Sequence, residues 1–302
     1  MRARELGIVI GSGTPGENNA ITDVSGVRLG HTTLIHGDGP LIVGQGPVRT
    51  GVTVIVPDGD VGRRPMFAGC HRLNGNGELT GLEWIRDSGM LTSAIAITNT
   101  HSVGVVRDAL IAKEVQARPA GDPHWSLPVV GETWDGRLND INGMHVKAEH
   151  VYSAVSTARS GPAAEGNVGG GTGMICHGFK GGIGTSSRVI EAAGGFTVGV
   201  LVQANYGRRE RFRVNGLAVG EVVDSTVTPE PDDDPASTDA GSIIIVVATD
   251  APLLPNQCAR LAQRAGWASR VREASASTAA ATCSWRSQRR TVSRSMTETT
   301  GR

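Results

Sequence analysis

Five stretches of this chain are largely apolar and stop at Gly, Pro, Asn or Asp: GIVIG, GVTVIVP, SAIAITNT, FTVGVLVQAN and SIIIVVAT. Their Val/Ile content without strict alternation predicts strands buried on both faces. Between them the period changes. ELTGLEWIRDSG spaces its apolar residues as one helix face does and ends on Gly. RDALIAKEVQAR follows a histidine-containing turn, and PNQCARLAQRA opens with Pro and Asn in capping positions. Strands and helices alternate without strict βαβ regularity, and no internal repeat is visible. The pattern predicts a layered α/β protein with helices outside packed sheets.

One segment breaks the pattern. Residues 224–241, DSTVTPEPDDDPASTDAG, hold three prolines and six acidic residues and nothing that could pack, so they read as an exposed, mobile linker. The linker ends at the Gly241-Ser242 bond, where six apolar residues follow the serine. A serine hydroxyl is a poor nucleophile until a base takes its proton. An N-terminal serine carries such a base, because its α-amine has a pKa of about 7.7–8. Cleavage before Ser242 would create that residue, and a glycine at 241 permits the strained backbone that attack on its own carbonyl requires. The plain alternative is an ordinary loop-to-strand junction, which this stretch alone favours.

Composition narrows the class. The chain has 302 residues, ample for a core, with 29 basic and 29 acidic residues dispersed along it. Aromatics are only 4% and no basic stripe interleaves with them, so nucleic acid is excluded as a partner. No apolar run approaches a membrane span, and the MRARELGIVIGSG start is too short in apolar residues for a signal peptide. Cys70, Cys176, Cys258 and Cys283 show neither CxxC pairing nor metal-ligand spacing with the histidines. The expectation is a soluble, cytoplasmic protein with free thiols and no metal or cofactor. The 42 glycines, spread in pairs and triples, point to tight turns and a glycine-rich site.

Gly11, Gly13 and Gly16 form a GxGxxG outline after an apolar run. A dinucleotide site needs a helix to open directly after the glycines. Here ENNAITDVSGVRLGH follows, which reads as turn and then strand, so a nucleotide site is rejected. His71, His101, His145 and His177 show no spacing that supports a Ser-His-Asp triad, and core or turn roles suit them better.

From about residue 8 to 266 the chain resembles the self-processing L-aminopeptidase/D-esterase and β-peptidyl aminopeptidase family. The stretches that carry this are NNAITDVSGVRLGHTT, NGNGELTGLEWIRDSG, ITNTHSVGVVRDA, VVGETWDGRLNDINGMHV, EGNVGGGTGMICHGFKGGIGTSSR, VLVQANYG and GSIIIVVATDAPLLP. The resemblance implies a four-layer αββα sandwich, like N-terminal nucleophile hydrolases but differently connected. It implies one domain cut into an α chain of 1–241 and a β chain of 242–302, and a homotetramer of αβ units. It assigns the autocleavage site to Gly241 and Ser242. Ser242 becomes the nucleophile, and Asn205 an oxyanion donor. Glu132 becomes the carboxylate that receives the ammonium of a small peptide, amide or ester. Trp134 stands where close relatives carry a tyrosine that assists the oxyanion; tryptophan keeps an N–H donor but no acidic hydroxyl. The NVGGGTG run (Asn167 to Gly173) either lines the cleft or allows tight packing.

After Gly266 the resemblance stops. Residues 267–302 are rich in Ser, Thr, Ala and Arg and are expected to hold no strand. The family continues instead with a Ser-Gly-Glu or Ser-Gly-Asp turn, whose serine and carboxylate orient the nucleophile, and then a hydrophobic strand. GC-rich codons for Trp267 through Arg290, read in the neighbouring frame, can spell that segment, with Ser-Gly-Asp across Ala279 to Thr282. A reading-frame change is the favoured account and a disordered extension the other. A chain lacking this segment is expected to process poorly. Two further readings stay open: an acyltransferase of the ornithine acetyltransferase type, which uses threonine at the nucleophile, and a silent member keeping only fold and pocket.

Overall fold

The computed structural model describes residues 2–57, 59–192, 195–223, 226–229, 241–270 and 276–284, the side chains of 269–270 and 276–284 excepted. Most of the linker expected at 224–241 falls outside these residues. A first sheet has the order β1-β2-β5-β6, from Val27–His36, Val48–Pro57, Ile95–Asn99 and Val129–Thr133. A second has the order β4-β3-β12-β11-β10-β9. Its strands are β3 (Met66–Arg72), β4 (Met90–Leu91), β9 (Gly182–Ile190), β10 (Phe196–Asn205), β11 (Gly241–Thr249) and β12 (Ala276–Ser284). A small ribbon, β7 (Ile175–Cys176) with β8 (Phe179–Lys180), sits beside them. The helices are α1 (Leu82–Ser88), α2 (Val103–Gln116), α3 (Ala148–Ser156), α4 (Val219–Val222) and α5 (Pro255–Arg270).

Alternation along the strands explains the layering. In β11, Ile244, Val246 and Ala248 face the first sheet and pack with Ile55, Ile97, Val129 and Leu201. Ile243, Ile245 and Val247 point the other way, against Leu261, Ala262 and Ala265 of α5. The outer face of the first sheet buries Val52, Val54, Ala96 and Val130 under Val106, Leu110, Val151 and Ala154 of α2 and α3. The order of layers is therefore helix, sheet, sheet, helix, the expected αββα sandwich. Each fully buried aliphatic contributes about 1.5–3 kcal/mol by leaving water, so this doubly covered sheet pair dominates the stability.

Two sequence expectations fail. GIVIG forms no strand: Ile8, Val9 and Ile10 are 41, 55 and 36% exposed. Gly7 and Gly11 on either side take left-handed φ of +76° and +71°, which turn the chain out of extended geometry before it can pair. The rejection of a nucleotide site stands, since a short 3-10 turn at Ile21–Asp23 and then β1 follow the glycines.

The C-terminal region supplies the second correction. β12 lies within residues expected to contain no strand, and it occupies the middle of the second sheet, parallel to β11 and antiparallel to β3. Without it β11 would present a row of unpaired backbone groups in an otherwise buried sheet, a strong drive to pair with any extended segment in reach. Its Ala, Ser, Thr and Cys residues give no hydrophobic signature, which is why the pattern did not show it. α5 likewise runs on to Arg270, past the point where the resemblance ends. A second unforeseen element is α3.

Candidate active site

The site forms where β10 and β11 run out at one end of the space between the sheets. Register pairs Asn205 with Ser242. Period-two alternation puts Ser242 on the face of Ile244 and Val246, so its hydroxyl enters the inter-sheet layer and the residue is 8% exposed. Asn205 Nδ2 donates to Ser242 Oγ at 3.1 Å and to the Trp134 carbonyl at 2.7 Å. Asn205 Oδ1 accepts from the Ile175 amide at 2.9 Å, which fixes which way the side-chain amide faces. The Trp134 backbone N–H completes the group, 3.3 Å from Ser242 Oγ.

Three of the expected residues, Ser242, Asn205 and Trp134, thus meet around one oxygen. Trp134 does so through its peptide rather than its ring. Its indole stands over Gly136, and the residue is 46% exposed. Both partners of Ser242 Oγ are N–H donors, an arrangement that stabilises negative charge on oxygen but takes no proton.

Gly241 and Ser242 are joined within β11. The reason for glycine at 241 differs from the expected one. Its φ lies outside the left-handed region, so no strain of that kind is stored there. A Cβ at 241 would come within 2.5 Å of Tyr206 Cβ and 2.7 Å of Tyr206 Cα. Close approach, rather than backbone strain, demands the missing side chain.

Glu132 stands apart from this trio, on the opposite face of β6 from Thr133. It is 5% exposed, and its Oε1 accepts from the Glu78 amide at 3.0 Å. Its Oε2 accepts from the Thr100 hydroxyl at 2.5 Å, just ahead of α2. Both donors are neutral, and the carboxylate oxygens have further lone pairs with which to accept from a cation.

The NVGGGTG run resolves toward packing. Gly169–Gly171 form a 3-10 turn between the sheets, and a Cβ on Gly170 would lie 2.5 Å from both Gln203 Oε1 and the Ile97 carbonyl. The histidines serve elsewhere. His145 pairs with Asp140 at 2.8 Å and His177 Nδ1 with the Arg208 carbonyl at 3.0 Å. Cys70 and Cys176 are free thiols, and burial pushes Cys176 up to about 11, so it stays protonated.

Sequence reasoning passed over several buried polar residues around the site. Gln203, fully buried, donates to Thr133 Oγ1 at 2.7 Å and to the Thr98 carbonyl at 3.1 Å. A glutamine in an apolar strand was the available signal. Asp135, 1% exposed, receives Asn139 Nδ2 at 3.0 Å, and burial raises it to about 6. Nothing in GETWDG distinguished it from a turn aspartate.

Comparison with known proteins agrees with this geometry. A 52% identity over 273 residues links the chain to the beta-peptidyl aminopeptidase BapA of Sphingosinicella microcystinivorans, covering 87% of this chain and 68% of that one. Among solved structures, a beta-aminopeptidase from Burkholderia sp. superposes with TM-score 0.85 and 56% identity, over 94% of this chain and 78% of its own. The L-aminopeptidase D-Ala-esterase/amidase from Ochrobactrum anthropi, described as a prototype serine aminopeptidase and a new variant of the Ntn hydrolase fold, gives 0.82 and 42% over the same shares. The sequence model of Peptidase family S58 matches residues 19–277, and the chain therefore belongs to that hydrolase family.

Proposed function

We propose that this chain cuts itself between Gly241 and Ser242 and then acts as a serine aminopeptidase and amidase on short peptides, amides or esters. The observation that carries this is the Ser242 hydroxyl, buried at the first position after Gly241 and held by two N–H donors. In the uncut chain Ser242 Oγ attacks the Gly241 carbonyl. The ester so formed is hydrolysed, which frees the Ser242 α-amine. In turnover that amine takes the hydroxyl proton as Oγ attacks the carbonyl after the substrate's first residue. Asn205 and the Trp134 amide stabilise the oxyanion, a donor being worth about 3–4 kcal/mol in the transition state. The amine returns the proton to the leaving group, and water then releases the acyl group.

Glu132 binds the substrate ammonium, which restricts action to free N-termini. The named relatives support β-peptide substrates, or N-terminal L-residues and D-Ala esters and amides. The exposed Leu41, Ile42 and Val43, 47, 46 and 67% accessible, support burial in a tetramer of αβ units. β12 restores the strand thought absent, yet its sequence ASTAAATCS carries no carboxylate to orient the amine. Slow processing follows from that lack.

Intact-mass spectrometry during incubation near neutral pH tests the proposal. Two fragments split between 241 and 242, with β-alanine p-nitroanilide hydrolysed in step with their appearance, support it. A chain that releases p-nitroaniline equally well as Ser242→Ala sinks it.

A further inference from the structure

Ser242 is held by a peptide group that the sheet itself does not hold. Trp134 lies one residue past the end of β6, where the ladder to β5 stops at Thr133. Its indole is half exposed and cannot anchor it. Yet its backbone makes two contacts at the site: the N–H, in the Thr133–Trp134 peptide plane, donates to Ser242 Oγ, and the carbonyl, in the Trp134–Asp135 plane, accepts from Asn205. Hydrogen bonds weaken steeply with angle and distance, so something must fix these two successive planes.

On the N-terminal side Gln203 holds Thr133, as described above. On the C-terminal side stands Asp135. Its carbonyl accepts from the Leu138 and Asn139 amides, both at 3.1 Å, so the chain turns sharply there. Its Oδ1 accepts from Asn139 Nδ2 at 3.0 Å, and Asn139 Oδ1 accepts from the Arg49 amide at 3.0 Å. That second bond ties the turn to β2 of the first sheet. Thr50 and Asn99 lie beside the carboxylate and bond each other at 2.8 Å. Asp135 Oδ2, however, is buried without a well-formed partner.

A buried carboxylate among neutral groups is an expensive way to close a turn. Taking a carboxylate out of water costs several kcal/mol, which neutral hydrogen-bond partners return only in part. The energetic cost therefore points away from stability as the role of this group. We propose that Asp135 is a positioning residue for the reaction: through Asn139 and β2 it holds the backbone of Trp134, so that the carbonyl of the adjoining peptide meets Asn205 and the N–H of the preceding one meets the Ser242 oxygen. This rests on Ser242 being the nucleophile, and Asp135 itself touches no reacting atom. The raised proton affinity of Asp135 agrees with a site selected by geometry at the expense of solvation.

The test compares Asp135→Leu, Asp135→Asn and the exchange pair Asp135→Asn with Asn139→Asp in the full-length chain. The exchange keeps one donor and one acceptor between the positions and leaves a carboxylate oxygen for the Arg49 amide. Readouts are the rate of cleavage at 241/242 by intact mass, kcat and KM on β-alanine p-nitroanilide, and Tm. Asp135→Leu removes a costly buried charge but also the acceptor of Asn139 Nδ2, so Tm should change little while cleavage and kcat fall about ten- to hundredfold, below the full loss of one donor, with KM little changed. The exchange pair should recover most of the loss. Wild-type rates in Asp135→Leu overturn the proposal and leave the nucleophile assignment intact. Loss of Tm and rate together, unrescued by the exchange, also overturns it, because a purely structural role then suffices. If wild type stays uncut and releases p-nitroaniline no faster than Ser242→Ala, the nucleophile reading fails and takes this one with it.

Discussion

Gly241→Ala should slow self-cleavage by about a hundredfold, and the reason lies in one contact. An ideal Cβ at 241 sits 2.5 Å from Tyr206 Cβ, whereas ordinary contact begins near 3.4 Å, so about 0.9 Å (3.4 − 2.5) must be found. The obstacle is the root of a side chain with its own Cα 2.7 Å away, so no rotamer change removes it. Either the chain just past β10 moves at Tyr206 or β11 moves at Gly241. The first displaces Asn205, the neighbour of Tyr206, and the second displaces Ser242. Taken wholly in the Asn205–Ser242 contact, such a shift stretches the 3.1 Å hydrogen bond toward 4 Å and abolishes it. A misplacement of about 1 Å costs on the order of a hundredfold in rate, and overpacking costs about 1–3 kcal/mol in stability. Cleavage would be followed by intact mass and stability by thermal melting in an uncleavable Ser242→Ala background. Processing of Gly241→Ala within about threefold of wild type would refute the steric argument, since a factor that small is under 1 kcal/mol.

Glu132→Gln should raise KM for free-amine substrates about ten- to hundredfold with little change in kcat, because a charge-assisted bond worth about 1.5–3 kcal/mol is lost in ground and transition state alike; a kcat effect alone would contradict the ammonium role. Two buried groups predict the pH dependence of stability. Burial lowers His31 to about 4, so the unfolded state takes up its proton first and stability falls as pH drops from 6.5 toward 4. Burial raises Asp135 to about 6, so the native state takes up that proton first and stability rises as pH falls from 6 toward the ordinary carboxylate range. Each contribution is at most about 3 kcal/mol and the signs oppose, so stability in uncleavable Ser242→Ala should vary little between about pH 6 and 4. Asp135→Asn in that background should expose the His31 loss, and an acid limb unchanged by it would refute the compensation.

The strands legible in the sequence are mostly those buried on both faces. β2, β5 and β11 show as runs of Val and Ile for that reason, and β10, buried at alternate positions only, shows because its half-buried face is also Val-rich. β9, whose outer half carries Thr, Ser, Ser and Arg, gave no such signal, and β12 gave less. GIVIG shows the converse error, since an apolar run without a partner strand has nothing to bond to. At the site, Ser242 was legible from its junction, and Asn205, Trp134 and Glu132 came through the resemblance. Hydrogen-bond partners were not legible, because they come from residues distant in sequence. Thr98 and Gln203 are joined by the stacking of the sheets, and Arg49 and Asn139, like Thr100 and Glu132, by strand order within the first sheet, none of them by spacing.

That division has a physical origin, and it assigns different kinds of failure to different residues. Aliphatic burial is roughly proportional to area and indifferent to direction, so sequence pattern records it and neighbours can replace one another. A buried polar contact depends on angle and distance, and its loss leaves a partner unsatisfied at about 1–3 kcal/mol. Substitutions within Ile243 to Ala248 should therefore act mainly on stability, grading with volume. Substitutions at Asn205, Gln203 or Asp135 should act on rate at nearly constant fold, because these three side chains set where the Ser242 oxygen and the Trp134 peptide lie relative to each other. A chain whose C-terminal strand is built of small residues can keep the layers and still lose the reaction, since the sheet asks only for backbone partners while the nucleophile asks for particular atoms.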